Sequence, residues 1–204
     1  MLKINKFCPS NCFGSNCYLI GLDNEYAIID PSVGTDEVFE KIPEARGKVK
    51  YILLTHCHFD HILTINDWFN ICKNVYIGAE DANGLRDPFI NCYLGFLGTE
   101  DGFWGEVSEL GDGDLIPLGS GTIRVIGCPG HTPGSISYRI DNNIFVGDTV
   151  FENGGYGRCD LPLGDIDVLE KTLIRLLTHE DDANVYPGHG GKTTIKEIVT
   201  FFTE

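Results

Sequence analysis

Between Thr55 and His61 the chain reads Thr-His-Cys-His-Phe-Asp-His, which places three of its six histidines and an aspartate within six residues. Imidazole and carboxylate are the donors that zinc and iron accept. His56 and His58 alternate, so on an extended backbone they project to one side. Asp60 and His61 follow, where the chain is expected to turn into a helix. A lone histidine is ordinarily a hydrogen-bonded, half-buried side chain. Three histidines and an aspartate this close would repel or go unsatisfied without a cation. The cluster is therefore expected to bind metal.

Three more residues of the same chemistry follow. His131 sits in Gly-Cys-Pro-Gly-His-Thr-Pro-Gly, a Gly/Pro loop that would fix its side chain. Asp148 sits in Phe-Val-Gly-Asp-Thr, and His189 in Tyr-Pro-Gly-His-Gly. His179 stands apart beside Glu180-Asp181-Asp182 and is expected at the surface.

The elements that must position these groups are short strands alternating with helices. Asn16–Leu22 and Tyr26–Ile29 read as a hairpin across Asp23-Asn24. A helix is expected over Val33–Ile42, stopped by Pro43. Tyr51–Leu54 is a continuous apolar run, as in a strand buried on both faces. It would deliver the histidine cluster to its C-terminal edge, the usual place for active groups in α/β proteins. Helical spacing returns over Ile62–Cys72, with a short strand at Val75–Ile77 and a short helix at Ala79–Arg86. From Asp87 to Trp104 the pattern fails in a stretch rich in Gly and aromatics. It reads as a lid or substrate-contacting loop, or as a surface excursion whose aromatics pack onto the domain. Strands are expected at Glu106–Leu110, Asp114–Leu118, Thr122–Ile126, Ser135–Ile140, Ile144–Val146 and Asn184–Tyr186, with a turn at Asn142-Asn143. The strongest helix is Asp165–Leu177, which Asp165 would cap, and Thr193–Phe202 closes the chain. Each of His131, Asp148 and His189 thus falls just past a strand. No linker divides the 204 residues, which read as one domain.

Composition narrows the partners. With 15 basic against 30 acidic residues the net charge is −15. Nucleic-acid binding needs Lys and Arg to neutralise phosphates, and an anionic membrane surface would repel this chain. No apolar run approaches the ~18 residues of a transmembrane helix. MLKINKFCPS has no apolar signal region. The eight cysteines are expected as reduced thiols in a cytoplasmic protein. Cys8, Cys12 and Cys17 lack the fourth partner of a structural zinc site.

The order H-x-H-x-D-H, a Gly-flanked His, G-D-T and P-G-H-G resembles the metallo-β-lactamase-fold hydrolase superfamily. The likeness runs from NCYLI and AIIDPS to YPGHG. CPGHTPGSISY, GDTVF and GYGRCDLPLGD look most like the glyoxalase II group and its short bacterial-type relatives. The resemblance implies an α/β, four-layer αββα sandwich with two divalent metals between the sheet edges, zinc in the first instance and iron or manganese as alternatives. It implies that His56, His58 and His131 hold one metal, that Asp60, His61 and His189 hold the other, and that Asp148 bridges both with a water or hydroxide. Arg158 stands where relatives place a basic residue near the thiol-side carboxylate, or else pairs with Asp160 or Asp165. Tyr156, in the same loop, is expected on the substrate side. Ile62-Leu63 replaces the family's usual Gly-Gly, and Ser32 stands where Gly is common. Full-length glyoxalase II also has a helical C-terminal domain that contacts glutathione, whereas this sequence stops about fifteen residues after His189.

The implied reaction is thioester hydrolysis of the S-lactoylglutathione type. A hydroxide oriented by Asp60 attacks the carbonyl, and the thiolate, with a pKa of ~8.5, leaves with little acid help. Other readings are a persulfide dioxygenase using one iron on His56, His131 and Asp148, a lactone or ester hydrolase, and a non-enzymatic metal-binding protein on the same fold.

Overall fold

The computed structural model describes residues 1–10, 14–180 and 182–203. Cys12, and with it the question of a three-cysteine site, lies outside the described residues. The hairpin forms from β2 (Cys17–Leu22) and β3 (Glu25–Ile29). Asp23 and Asn24 both take positive φ, 47° and 68°, which matches the twist of the flanking strands. Lys3–Phe7 adds β1 on the outside, antiparallel to β2. On the other side, β4 (Val49–Leu53), β5 (Val75–Gly78) and β6 (Ser108–Leu110) join β3 in parallel. The second sheet contains β7 (Leu115–Leu118), β8 (Gly121–Gly127), β9 (Ile136–Ile140), β10 (Asn143–Gly147), β11 (Asn184–Pro187) and β12 (Thr193–Thr194). Its strand order is β12-β11-β10-β9-β8-β7, and only the β10–β11 pair is parallel.

Period-two alternation explains why both sheets are buried on both faces. From β2 and β3, Tyr18, Ile20, Ala27 and Ile29 point between the sheets, where Ile123, Val125, Tyr138 and Phe145 meet them. The alternate residues Leu19, Tyr26 and Ile28 face outward onto α1 (Thr35–Lys41) and α2 (Ile65–Ile71), packing with Val38, Phe39 and Trp68. Ile144 and Val146 of β10 face the opposite way, onto α4 (Ile166–His179) and α5 (Ile195–Thr203). The layers are therefore helices, sheet, sheet, helices, the αββα sandwich that the resemblance implies. The helix expected from residue 165 forms, with the Asp165 carboxylate accepting from the backbone N–H of Val168 at 3.1 Å.

Three expectations need correction. Ala79–Arg86 forms two 3₁₀ turns, Ala79–Asp81 and Gly84–Arg86, because Asp81 turns its carboxylate inward to backbone donors of other loops. The turn after β9 uses Asp141-Asn142, since Asn143 pairs with Ile140 across the hairpin. The stretch 87–104 contains a short helix, α3 (Tyr93–Leu97). Phe103 of that stretch is buried against Phe69, while Phe89 and Trp104 are exposed. Where the family favours Gly-Gly, Ile62 is buried and Leu63 packs against the same core. Ser32 is buried and donates to the carbonyl of Ser15 at 2.7 Å. The seven described cysteines are free thiols. Among the described residues, no helix is long and apolar enough to cross a membrane.

Candidate metal centre

Six chain segments end on one rim of the sandwich, each just past a strand or in the loop it opens. β4 leads to His56 and His58, and the 3₁₀ turn Phe59–His61 then presents Asp60 and His61. β8, β10 and β11 lead to His131, Asp148 and His189. Asp30 follows β3, and Asp81 follows β5. The strand-end logic holds because tight loops at the carboxyl ends of several strands converge on one crevice.

The structure brings all seven predicted side chains together. His56, His58 and His131 form one group, Asp60, His61 and His189 another, and Asp148 joins His56 and His61 between them. His131 Nε2 lies 2.9 Å from His58 Nδ1 and 3.2 Å from His56 Nε2. Asp148 Oδ2 is 3.7 Å from His131 Nε2 and 3.5 Å from His189 Nε2, while its Oδ1 is 3.3 Å from His61 Nε2. Asp60 Oδ2 is 3.1 Å from His189 Nε2. The approach is close enough that a Cβ on Gly188 would lie 2.2 Å from Asp148 Oδ1. His179 is exposed and distant in role, its Nδ1 donating to the carbonyl of Arg175 at 2.9 Å.

Partners outside the cluster assign the imidazole protons. His131 Nδ1 lies 2.8 Å from the Arg158 carbonyl, which can only accept. His56 Nδ1 lies 3.0 Å from the Thr55 hydroxyl, which already donates to Asp30 Oδ2 at 2.7 Å. Both rings therefore carry the proton on Nδ1. Their Nε2 lone pairs face each other at 3.2 Å, a repulsive arrangement that a cation between them reverses. His61 Nδ1 donates to Asp30 Oδ2 at 2.9 Å. His61 Nε2 and Asp148 Oδ1 are buried and make no hydrogen bond. These orphaned atoms, and a donor set of five imidazoles and two carboxylates, fit divalent metal.

The electrostatics agree. Burial and the neighbouring His61 and His131 hold His56 well below the ordinary imidazole value. Burial and His131 hold His58 down at about 3. Burial also opposes charge on His61 and His189, but adjacent carboxylates outweigh it. Asp60, Asp30 and Asp148 raise His61 well above its usual value, and Asp148 and Asp60 raise His189 to about 9. Burial would raise Asp148, yet His61 and His189 keep it well below the carboxylate range. The metal-free protein therefore carries protons on His61 and His189 at pH 7. Metal loading must displace them, so about two protons should leave as both positions fill, and affinity should climb with pH up to about 9. Titration calorimetry in buffers of different ionisation enthalpy measures the release. A heat independent of the buffer would contradict the assignment.

Sequence reasoning missed Asp30 and Asp81. Asp30 is buried at φ 50° and orients His61 and Thr55. The D-P pair after β3 marks a turn, and nothing local says where the carboxylate points.

Beside the cluster opens a cavity of about 300 Å³, within the size range of small-molecule sites. Phe59, Phe96, Phe151, Tyr156 and Leu161 wall it, with Arg158 at the side. Phe96 stacks on Phe59 at 5.3 Å, so part of the 87–104 stretch lines the cavity. Arg158 donates to Asp160 from Nε at 2.8 Å and from Nη2 at 2.7 Å. Of its two readings from sequence, the ion pair with Asp160 is formed, and the residue also faces the cavity.

The family model described as metallo-beta-lactamase superfamily matches residues 10–189. The chain is similar to the hydroxyacylglutathione hydrolase GloC of Haemophilus influenzae, 31% identical, with 92% of this chain and 91% of that protein covered. Among solved structures it is similar to the B3 metallo-beta-lactamase BLEG-1, with a TM-score of 0.84, 29% identity, and 98% and 97% of the two chains covered. It is also similar to TTHA1623 in a di-iron-bound form, with a TM-score of 0.79, 26% identity and 96% of each chain covered.

Proposed function

The chain belongs to the metallo-β-lactamase superfamily, and on that footing we propose that this metal-dependent hydrolase cleaves thioesters, with S-lactoylglutathione as the reference substrate. The observation that carries the reading is the convergence of all seven side chains beside an apolar cavity. His56, His58 and His131 would hold one cation, Asp60, His61 and His189 the second, with Asp148 between the two groups. The chemistry that cations bound there would supply is a water whose pKa falls from 15.7 towards ~7 and a polarised carbonyl. Asp60 lines the cavity, where its carboxylate would accept a hydrogen bond from that water and aim it. Asp30 holds His61 through Nδ1, and the Arg158 carbonyl holds His131. Phe59 and Phe96 exclude bulk water from the carbonyl. Tyr156 and Arg158 contact the substrate from the cavity wall. The thiolate product, with a pKa of ~8.5, leaves without a dedicated acid.

Zinc is the first candidate for the metal, and the di-iron relative makes iron the second. Free thiols at the seven described cysteines support a reducing compartment, the cytoplasm. The similarity to a hydroxyacylglutathione hydrolase supports the thioester over a lactone or simple ester.

A mononuclear-iron persulfide dioxygenase would need only His56, His131 and Asp148. Asp60, His61 and His189 at the same place favour two metals. Metal analysis and a screen of acyl thioesters, lactones and glutathione persulfide on one preparation decide the matter. Two metals per chain with thioester cleavage are expected. One iron with oxygen uptake on the persulfide, or no cleavage of any thioester, would refute the reading.

A further inference from the structure

The cavity beside the metal cluster has a single lysine or arginine among its described lining residues, Arg158. That charge is already engaged. Asp160, two residues on, accepts along one edge of the guanidinium, from Nε at 2.8 Å and from Nη2 at 2.7 Å. This is the bidentate geometry a substrate carboxylate would need for itself. The guanidinium carbon also lies 5.9 Å from the centre of the Phe96 ring. Phe59 and Phe96, stacked, form the apolar part of the wall with Phe151 and Leu161. Asp60, Asp148, His58, His131 and His189 also line the cavity, and all five are committed to the metals in the proposed function. An anionic group reaching for Arg158 would have to displace Asp160 from that edge, or share the guanidinium with it and sit beside its carboxylate. A neutral apolar group meets no such competitor and gains burial against the ring faces.

We propose that the substrate groups filling this cavity are neutral and apolar, and that Asp160 is a specificity-determining residue that withholds Arg158 from anionic substrates. The inference rests on the thioester reading for its chemistry but not for its recognition. An aryl or alkyl acyl group on an uncharged thiol fits the cavity better than the same acyl group on glutathione, whose net charge is negative.

The test separates binding from turnover. The uncleavable thioethers S-benzyl-N-acetylcysteamine and S-benzylglutathione are titrated into the metal-loaded protein, and the benzoyl thioesters of the same two thiols are assayed for hydrolysis. The neutral thioether should bind more tightly, and the neutral thioester should show the higher kcat/KM. In Asp160→Asn the freed guanidinium should shift both ratios towards glutathione by roughly fivefold, the scale of an exposed charge pair. Adding Arg158→Ala should cancel that shift. Tighter binding of S-benzylglutathione by the unaltered protein, failure of the neutral thioether to bind, or ratios unmoved by Asp160→Asn would overturn the proposal. Ordered binding without turnover of either thioester would uphold it and refute the thioester reading instead.

Discussion

Replacing Asp148 with alanine should remove the second metal and lower kcat/KM on the order of 10³-fold, the scale of losing an electrostatic contact made to the reacting centre. The reasoning is geometric. Asp148 has one oxygen 3.3 Å from His61 Nε2 and the other within 3.7 Å of both His131 and His189, so both groups of donors depend on it. It is also the carboxylate that offsets the charge of His61 and His189. Without it, five imidazoles face one another with Asp60 as the remaining anion of the cluster. Metal content by mass spectrometry should fall from two per chain to one or fewer. His179→Ala is the control, since that ring is exposed and bonded within its own helix. It should leave metal content and rate unchanged. Equal damage from the two substitutions, or two metals retained in Asp148→Ala, would break the ligand assignment.

What was legible in the sequence depended on how local its cause was. Tyr51–Leu54 announced a doubly buried strand because apolar side chains on both faces are a property of the run itself. The H-x-H-x-D-H cluster announced a metal site for the same reason, since its donors are neighbours in the chain. His131, Asp148 and His189 were placed by a weaker regularity, a Gly-flanked polar residue just past a strand. β1 was missed because Lys3–Phe7 is half polar and acquires its role only by pairing with β2. β12 is two residues long and exists as a partner of β11. The turns at 79–86 carry helical residue types, but Asp81 is drawn inward by donors from two distant loops, a competition no local propensity registers. Asp30 was hidden likewise, because its three contacts lie 25 and 31 residues away.

That competition at Asp81 predicts the second large effect. Asp81 is 2% exposed, and no cation is among its hydrogen-bond partners. It accepts instead from Cys57 N–H at 3.0 Å, from the Thr132 hydroxyl at 2.7 Å and from Gly134 N–H at 2.8 Å. Cys57 lies between His56 and His58, and Thr132 follows His131, so one carboxylate clamps the two loops that carry the first group of donors. The fit leaves no slack, for a Cβ on Gly134 would lie 2.3 Å from the Asp81 nitrogen. Asp81→Ala would leave these donors facing a void, at a cost of about 3–5 kcal/mol in the stability of the metal-free protein. Metal affinity should fall roughly 10- to 100-fold, as when an orienting partner of a ligand is lost. Asp81→Asn keeps the shape but turns an amide N–H₂ towards one donor, so it should fall between the two in both measurements. The pH dependence identifies the charge itself. Burial raises the Asp81 carboxyl, against the opposing hydrogen bonds from Thr132 and Gly134. The folded state therefore holds a proton that the unfolded chain releases at its ordinary ~3.9. Stability contributed by Asp81 is thus greatest below that value and declines as pH rises through the raised one. Asp81→Asn, which mimics the protonated form, should lose that component of the slope when denaturant unfolding is compared from pH 3.5 upward. Unchanged stability and chelator-competition affinity in Asp81→Ala would show that the loops hold their spacing without the clamp.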